Sequence, residues 1–254
     1  MRDAQSRRPI CGDDYAKRFM DDRGLAIFQE FAGESAPNVS NVARHRYIDD
    51  LLRARFAEQR ELQVVMLGCG FDSRAFRLGG GSWYELDEPQ LIAYKNDRLP
   101  ASQAPNPLQR IAIDFGVDSL QDKLRLIPRN LPTVVVIEGV TMYVPADSLV
   151  GTLEILQSWW PGHELIADLM TRRFIERYGR NIRRIIAQLG AQMIPGDTPG
   201  LPFEQAGYRE LSSTSVIGLS FKYRALGMLN PLLRLIVPGA YAGYTVRVYR
   251  ARGR

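Results

Sequence analysis

Gln63-Val-Val-Met-Leu-Gly-Cys-Gly-Phe-Asp-Ser-Arg74 decides how this chain is read. Val64 to Leu67 is a short, unbroken apolar run with β-branched members, the pattern of a strand covered on both faces in a parallel sheet. The run ends in Gly68 and Gly70, which permit a tight turn and let a ligand lie against bare backbone. A helix beginning near Asp72 would aim its free N–H groups and positive dipole end into that turn. Strand, glycine turn and helix together point to a nucleotide-type cofactor site. Ser73 stands where a dinucleotide fingerprint wants its third glycine, so the turn alone leaves the cofactor open.

Outward from this stretch, strand and helix alternate. Upstream, Asp13 to Phe31 has helical spacing, and Ser40 is placed to cap a helix carrying Val42, Tyr47, Ile48, Leu51, Leu52 and Phe56 on its apolar side. Downstream come a short helix (Ser73–Leu78), a strand (Ser82–Leu86), a helix (Pro89–Leu99), a strand (Arg110–Ile113) and a helix (Leu120–Leu126). Thr133–Ile137 is a fourth strand, Ser148–Trp160 a helix and Glu164–Leu169 a fifth strand. The alternation predicts a doubly wound, mostly parallel sheet. Asp87, Asp114 and Glu138 each stand just past a successive strand, on the sheet edge where ligands bind. An acid in the position of Asp87 suits a ribose in several cofactor classes. Asp114 is more telling, because it can accept an adenine amine while the Phe115 N–H serves a ring nitrogen.

The bulk numbers narrow the field. A chain of 254 residues with 45% hydrophobic content fills one large α/β domain. We divide it into a flexible arm over 1–12 and a single domain over 13–254, with N-terminal helices (13–60) across the cofactor end and a lid insertion at 172–200. Two cysteines, Cys11 and Cys69, have no metal-type spacing and form no disulfide framework, which sets a cytoplasmic default. The start lacks a signal-peptide pattern, and Leu226–Tyr244 is broken by Pro231, Arg234 and Pro238, so no membrane span is expected. Of the net charge of +5, the two ends carry +6 and the remainder −1, which argues against a nucleic-acid surface. The oligomeric state is left open.

The combination resembles a known family, the leucine carboxyl methyltransferase-like, S-adenosylmethionine-dependent O-methyltransferases. It includes phosphatase methyltransferases and bacterial enzymes of polyketide and other natural-product pathways. The resemblance rests on Asp14-Tyr-Ala16, Arg44-His-Arg-Tyr-Ile-Asp49, Leu67 to Arg74 with Phe76-Arg-Leu78, and Tyr84-Glu-Leu-Asp-Glu-Pro89 with Lys95. Asp114-Phe115 and Glu138-Gly-Val-Thr-Met-Tyr-Val-Pro145 complete it. It implies a Rossmann-like class I methyltransferase fold with a seven-stranded sheet, and S-adenosyl-L-methionine as cofactor with S-adenosyl-L-homocysteine as product. It further assigns Arg44 to the cofactor carboxylate and Gly68, Cys69 and Gly70 to the methionine part. Asp87 with Glu88 falls at the ribose, Asp114 with Phe115 at the adenine, and Glu138 with Gly139 beside the methionine moiety. Tyr143 falls near the reacting methyl.

Methyl transfer from a sulfonium is an in-line displacement in which the protein mainly aligns the partners. A carboxylate acceptor is already ionised at neutral pH and needs no base. That agrees with the two histidines, His45 and His163, which read as isolated and structural or exposed. Arg172–Leu189 reads as one amphipathic lid helix, with Arg173, Arg177, Arg180 and Arg184 opposite Tyr178, Ile182, Ile185 and Leu189. Arg172 and Arg173 are its candidates, with Tyr143, for binding an acidic small molecule or an acidic carrier protein that delivers one. Two other classes remain: a family member that binds the cofactor without methyl transfer or uses it for another reaction, and a nicotinamide oxidoreductase, which Ser73 and Asp114-Phe115 oppose.

Overall fold

Val64–Leu67 lies at the centre of a seven-stranded sheet in the computed structural model, which describes residues 3, 4, 6–31, 35–223 and 238–253. The strands are β1 (Gln63–Leu67), β2 (Ser82–Asp87), β3 (Leu108–Ala112), β4 (Thr133–Ile137), β5 (Glu164–Met170), β6 (Arg209–Ser215) and β7 (Tyr244–Arg250). Their spatial order is β3-β2-β1-β4-β5-β7-β6. The first five pair in parallel, and β7 runs antiparallel between β5 and β6. The chain leaves β1 towards β2 and β3, then returns to β1's other side as β4. The carboxyl ends of β1 and β4 therefore frame the crevice where such sheets bind ligands.

Both central strands are buried along their whole length, so their alternate side chains feed two cores. On one face, Val64, Met66, Val134 and Val136 pack with Ile48 and Leu52 of α2 (Ser35–Glu58), Phe76 of α3 (Arg74–Arg77) and Ile92 of α4 (Pro89–Arg98). On the other, Val65, Leu67, Val135 and Ile137 meet Leu124 of α5 (Leu120–Leu124) and Leu149, Leu153 and Leu156 of α6 (Ala146–Trp159). A short helix, Leu201–Gln205, precedes β6.

Several boundaries differ from the sequence reading. Asp13–Phe31 is broken: a 3-10 turn (Asp14–Phe19) is followed by α1 (Asp22–Glu30), whose Gly24 N–H is capped by Asp21 at 2.9 Å. Ser40 does not cap α2. The helix begins at Ser35 and takes Pro37 into its first turn, where the missing N–H costs no hydrogen bond. β3 begins at Leu108 rather than Arg110, since its ladder with β2 starts at Trp83 opposite Leu108. The expected lid helix is two helices, α7 (Arg172–Tyr178) and α8 (Arg180–Gln188), divided at Gly179. Most of Leu226–Tyr244 lies outside the described residues. No helix among the described residues is long and apolar enough to cross a membrane.

Ile10 and Cys11 lie against α2. The Asp3 carboxylate accepts the backbone N–H groups of Ile10, Cys11 and Gly12, and Arg46 donates to the Ile10 carbonyl at 2.7 Å.

Candidate active site

The glycine turn is held open from below. Gly68 and Gly70 sit at φ +69° and +49°, in the left-handed region that favours glycine. The Gly68 and Cys69 N–H groups donate to the Leu86 carbonyl, and the Gly70 N–H donates to Asp87 Oδ2 at 2.7 Å. Asp87 Oδ1 accepts the Glu88 N–H at 2.8 Å, so this buried carboxylate ties the turn to the end of β2. Beneath it, the buried Lys95 ammonium lies 2.8 Å from Glu85 and 3.6 Å from the Cys69 sulfur. Burial pushes the Cys69 thiol well above its usual range, so it is a packed, protonated group.

Above the turn is a cavity of about 330 Å³, lined by Asp13, Arg44, His45, the Met66–Asp72 segment, Val136, Glu138 and Gly139. Arg44, Gly68, Cys69, Gly70, Glu138 and Gly139, all singled out from the sequence, thus converge on one space. A Cβ on Gly70 would meet nothing within 4 Å, so bare backbone faces that space. Arg44 Nε donates to Glu138 at 2.8 Å, and its Nη1 donates to Asp168 at 2.9 Å and to the Tyr244 hydroxyl at 2.6 Å. Its Nη2 has no hydrogen-bond partner among the described residues and lies beside Gly139, where a Cβ would come within 3.5 Å. One guanidinium edge is therefore anchored and the other is presented to the cavity.

Behind Arg44 runs an ion network that sequence reasoning did not assemble. The fully buried Arg74 donates to Asp49 at 2.6 Å, to Glu138 at 2.7 Å and to Asp72. Arg77 pairs with the other oxygen of Asp49 at 2.8 Å. Burial opposes ionisation of Glu138, but Arg74 and Arg44 outweigh it and hold its carboxyl well below the ordinary value. Asp49 is likewise held down by Arg74, His45 and Arg77 against the cost of its burial. His45, Asp72 and Glu138 bring ligand-type atoms within 4.8 Å of one another. The cation among them is Arg74 itself, bonded to both acids and 2.8 Å from His45 Nδ1. His45 is not isolated, contrary to the sequence reading: its Nε2 lies 2.7 Å from Arg77. Its Nδ1 also lies 3.4 Å from Glu138 Oε1, so the ring is tied into the ion network on both edges. His163 is structural as expected, buried with Nδ1 donating to the Trp160 carbonyl at 2.7 Å.

Asp168 offered one signal in the sequence, as an acid inside the otherwise apolar run of β5. It anchors Arg44 and accepts the Gly139 N–H at 2.6 Å. Arg74, Arg77 and Asp49 lay in the quoted motifs, but their pairing across α2 and α3 is tertiary.

The remaining candidates stand outside the cavity lining. Asp114 accepts the Gly116 N–H at 2.9 Å past the end of β3, and Phe115 beside it is 49% exposed. Glu88 is the residue before α4. Tyr143 is half-buried in a 3-10 turn (Thr141–Tyr143), without a hydrogen-bond partner for its hydroxyl among the described residues. It packs with Met142, Met170, Phe174, Ile175, Ile186 and Met193, which dock α7 and α8 over this turn. Arg172 and Arg173 are exposed on α7, Arg172 lying 3.3 Å from Asp197.

The fold is that of class I S-adenosylmethionine methyltransferases. A methyltransferase structure from Thermobifida fusca aligns with TM-score 0.61 at 14% identity, covering 94% of each chain. A DUF574 family protein from Streptomyces avermitilis aligns with TM-score 0.58 at 14% identity, covering 98% of this chain and 99% of that one. The leucine carboxyl methyltransferase family model matches residues 1–157, and the chain belongs to this family. A Streptomyces avermitilis protein described as an S-adenosyl-L-methionine-dependent methyltransferase is 33% identical over 183 residues, 68% of this chain and 59% of the relative. Its name carries the cofactor the sequence led us to expect. The chain spans about half the length of the curated relatives it matches.

Proposed function

We propose that the chain transfers a methyl group from S-adenosyl-L-methionine to a carboxylate oxygen of a small acidic molecule, free or delivered by an acidic carrier protein. The carrying observation is the state of the titratable groups around the cavity. Both nitrogens of His45 face guanidinium donors, and the carboxylates of Glu138, Asp72 and Asp168 are each engaged by arginine. The imidazole at the cavity is already paired with Arg74 and Arg77, which favours an acceptor that arrives as an anion. Free carboxylic acids, with pKa about 4, do so at neutral pH.

The cavity is the candidate place for the methionyl half of the cofactor, on the strength of its lining. Arg44 Nη2 would take its carboxylate, while the backbone of Gly68, Cys69 and Gly70, with Glu138 and Gly139, would lie along its chain. Asp87 with Glu88 would receive the ribose on the remaining lone pairs, and Asp114 with Phe115 the adenine. S-adenosyl-L-methionine supplies an activated methyl on a sulfonium, so the chain's task is alignment. Burial pushes the Tyr143 hydroxyl above its usual pKa, keeping it a donor able to orient the acceptor carboxylate. Arg172 and Arg173 draw the anion in from solvent.

The test is the product formed from methyl-labelled cofactor and a panel of carboxylic acids and phenols. A base-labile methyl ester is expected, with Tyr143→Phe lowering kcat while affinity for S-adenosyl-L-homocysteine holds. A base-stable aryl ether as the product would overturn the carboxylate assignment.

A further inference from the structure

A second cavity, of about 430 Å³, is lined in part by Thr141 and Met142 of the Thr141–Tyr143 turn. Its walls combine Met142, Leu149, Met170 and Ile194 with the polar Thr198 and Gln205. The volume falls in the range of small-molecule sites, roughly 300–1,000 Å³, and such an apolar lining with few polar groups is their usual make-up. Arg172 and Asp197 also line it, 3.3 Å apart, and both are more than half exposed. That pairing offsets part of the arginine's charge at the cavity wall, and the exposed guanidinium keeps further N–H groups for an incoming anion.

Asp168 relates this cavity to the first. Its carboxylate holds Arg44 and the Gly139 N–H on the cofactor side. Its carbonyl accepts the hydroxyl of Thr141, which lines the second cavity, at 2.7 Å. Met170 at the end of β5, two residues further on, also lines it. One short segment, Gly139–Met142, thus has the cofactor cavity at one end and the apolar cavity at the other.

We propose that the apolar cavity seats the body of the methyl acceptor, and that the acceptor is an apolar carboxylic acid rather than a small polar acid or a peptide terminus. This rests on the carboxylate reading above. The acid's aliphatic or aryl body lies against Met142, Met170 and Ile194, and its carboxylate points past Tyr143 towards the cofactor side. A strongly hydrated polyacid would have to shed water into a lining in which apolar side chains outnumber the polar Thr141, Arg172, Asp197, Thr198 and Gln205.

The experiment compares octanoate, 3-phenylpropionate, malonate and citrate, both as methyl acceptors and as ligands followed by ligand-observed NMR with S-adenosyl-L-homocysteine present. Ile194→Trp, which reduces the space from its outer wall, is the variant. Octanoate or 3-phenylpropionate is expected to bind and be esterified, with malonate and citrate inactive. Ile194→Trp should weaken binding of the apolar acids at least tenfold and leave S-adenosyl-L-homocysteine affinity unchanged. Esterification of malonate as readily as octanoate, or an unchanged octanoate affinity in Ile194→Trp, would overturn the cavity assignment and leave the carboxylate chemistry standing. Binding of the apolar acids that Ile194→Trp weakens, without ester formation, would support the cavity and sink the carboxylate reading instead.

Discussion

His163 shows what burial does to a titratable side chain that chemistry does not use. It sits among Trp160, Tyr208 and the end of α6, and burial lowers its pKa from the ordinary 6.5 to about 4. The unfolded chain therefore takes up a proton before the folded one does. The contribution of the neutral ring to stability is fully present above pH 6.5 and is lost as pH falls towards 4. At about 1.36 kcal/mol per pH decade, this amounts to roughly 2–3 kcal/mol between pH 7.5 and 4.5. Urea unfolding of the parent and of His163→Phe at both pH values isolates it. The parent should lose about that much more than the variant over the interval, and parallel losses would show that the ring does not titrate this way. His45 stands apart: the same residue type, in the cofactor cavity, is fixed between two guanidinium groups. The sequence made the two histidines look alike because both lack ligand spacing. Only the tertiary pairing of α2 with α3 separates their roles.

At the scale of elements, the turn after β1 was legible because its requirements are local. Its two glycines nevertheless differ in what surrounds them. A Cβ on Gly68 would sit 2.5 Å from a Val140 methyl, whereas one on Gly70 would enter open space. Both positions carry the left-handed strain of about 1–2 kcal/mol for a non-glycine residue. Gly68→Ala adds overpacking of about 1–3 kcal/mol. We expect Gly68→Ala to lose clearly more stability in urea unfolding, and Gly70→Ala to keep most of its stability but lose cofactor affinity through a methyl placed in the cavity. Equal stability losses with unchanged S-adenosyl-L-homocysteine binding in Gly70→Ala would contradict this geometry. The lid was less legible. Its alternating arginines and apolar residues suggested one continuous helix, but the backbone breaks at Gly179 and only Ile175 and Ile185 are buried in the two helices. Tyr178 and Leu189, placed on the apolar face by periodicity, are 42% and 49% exposed. Helical spacing shows which residues share a face but not which part of that face meets a partner.

Across the whole molecule, the strand-end acids revealed the sheet edge, and the β1–β4 crevice follows from strand order. The ion network was hidden because its members are far apart in sequence: Arg44 meets Asp168 and Tyr244, and Arg74 meets Asp49 and Glu138. These pairs join α2, the turn after β1, the ends of β4 and β5, and β7 around one cavity. A ligand filling that cavity touches segments from Asp13 to Gly139, so its binding free energy acts on the folding of the domain as a whole. A ligand that binds only the folded state at one hundred times its Kd stabilises by about 2.7 kcal/mol. For a chain of this size each kcal/mol raises Tm by roughly 2–4 °C. Saturating S-adenosyl-L-homocysteine should therefore raise Tm by roughly 5–10 °C, and NAD at the same concentration should leave it unchanged. Circular dichroism melts with each ligand make the comparison. A shift with NAD and none with S-adenosyl-L-homocysteine would mean that the glycine turn, the strand-end acids and Arg44 serve a different cofactor.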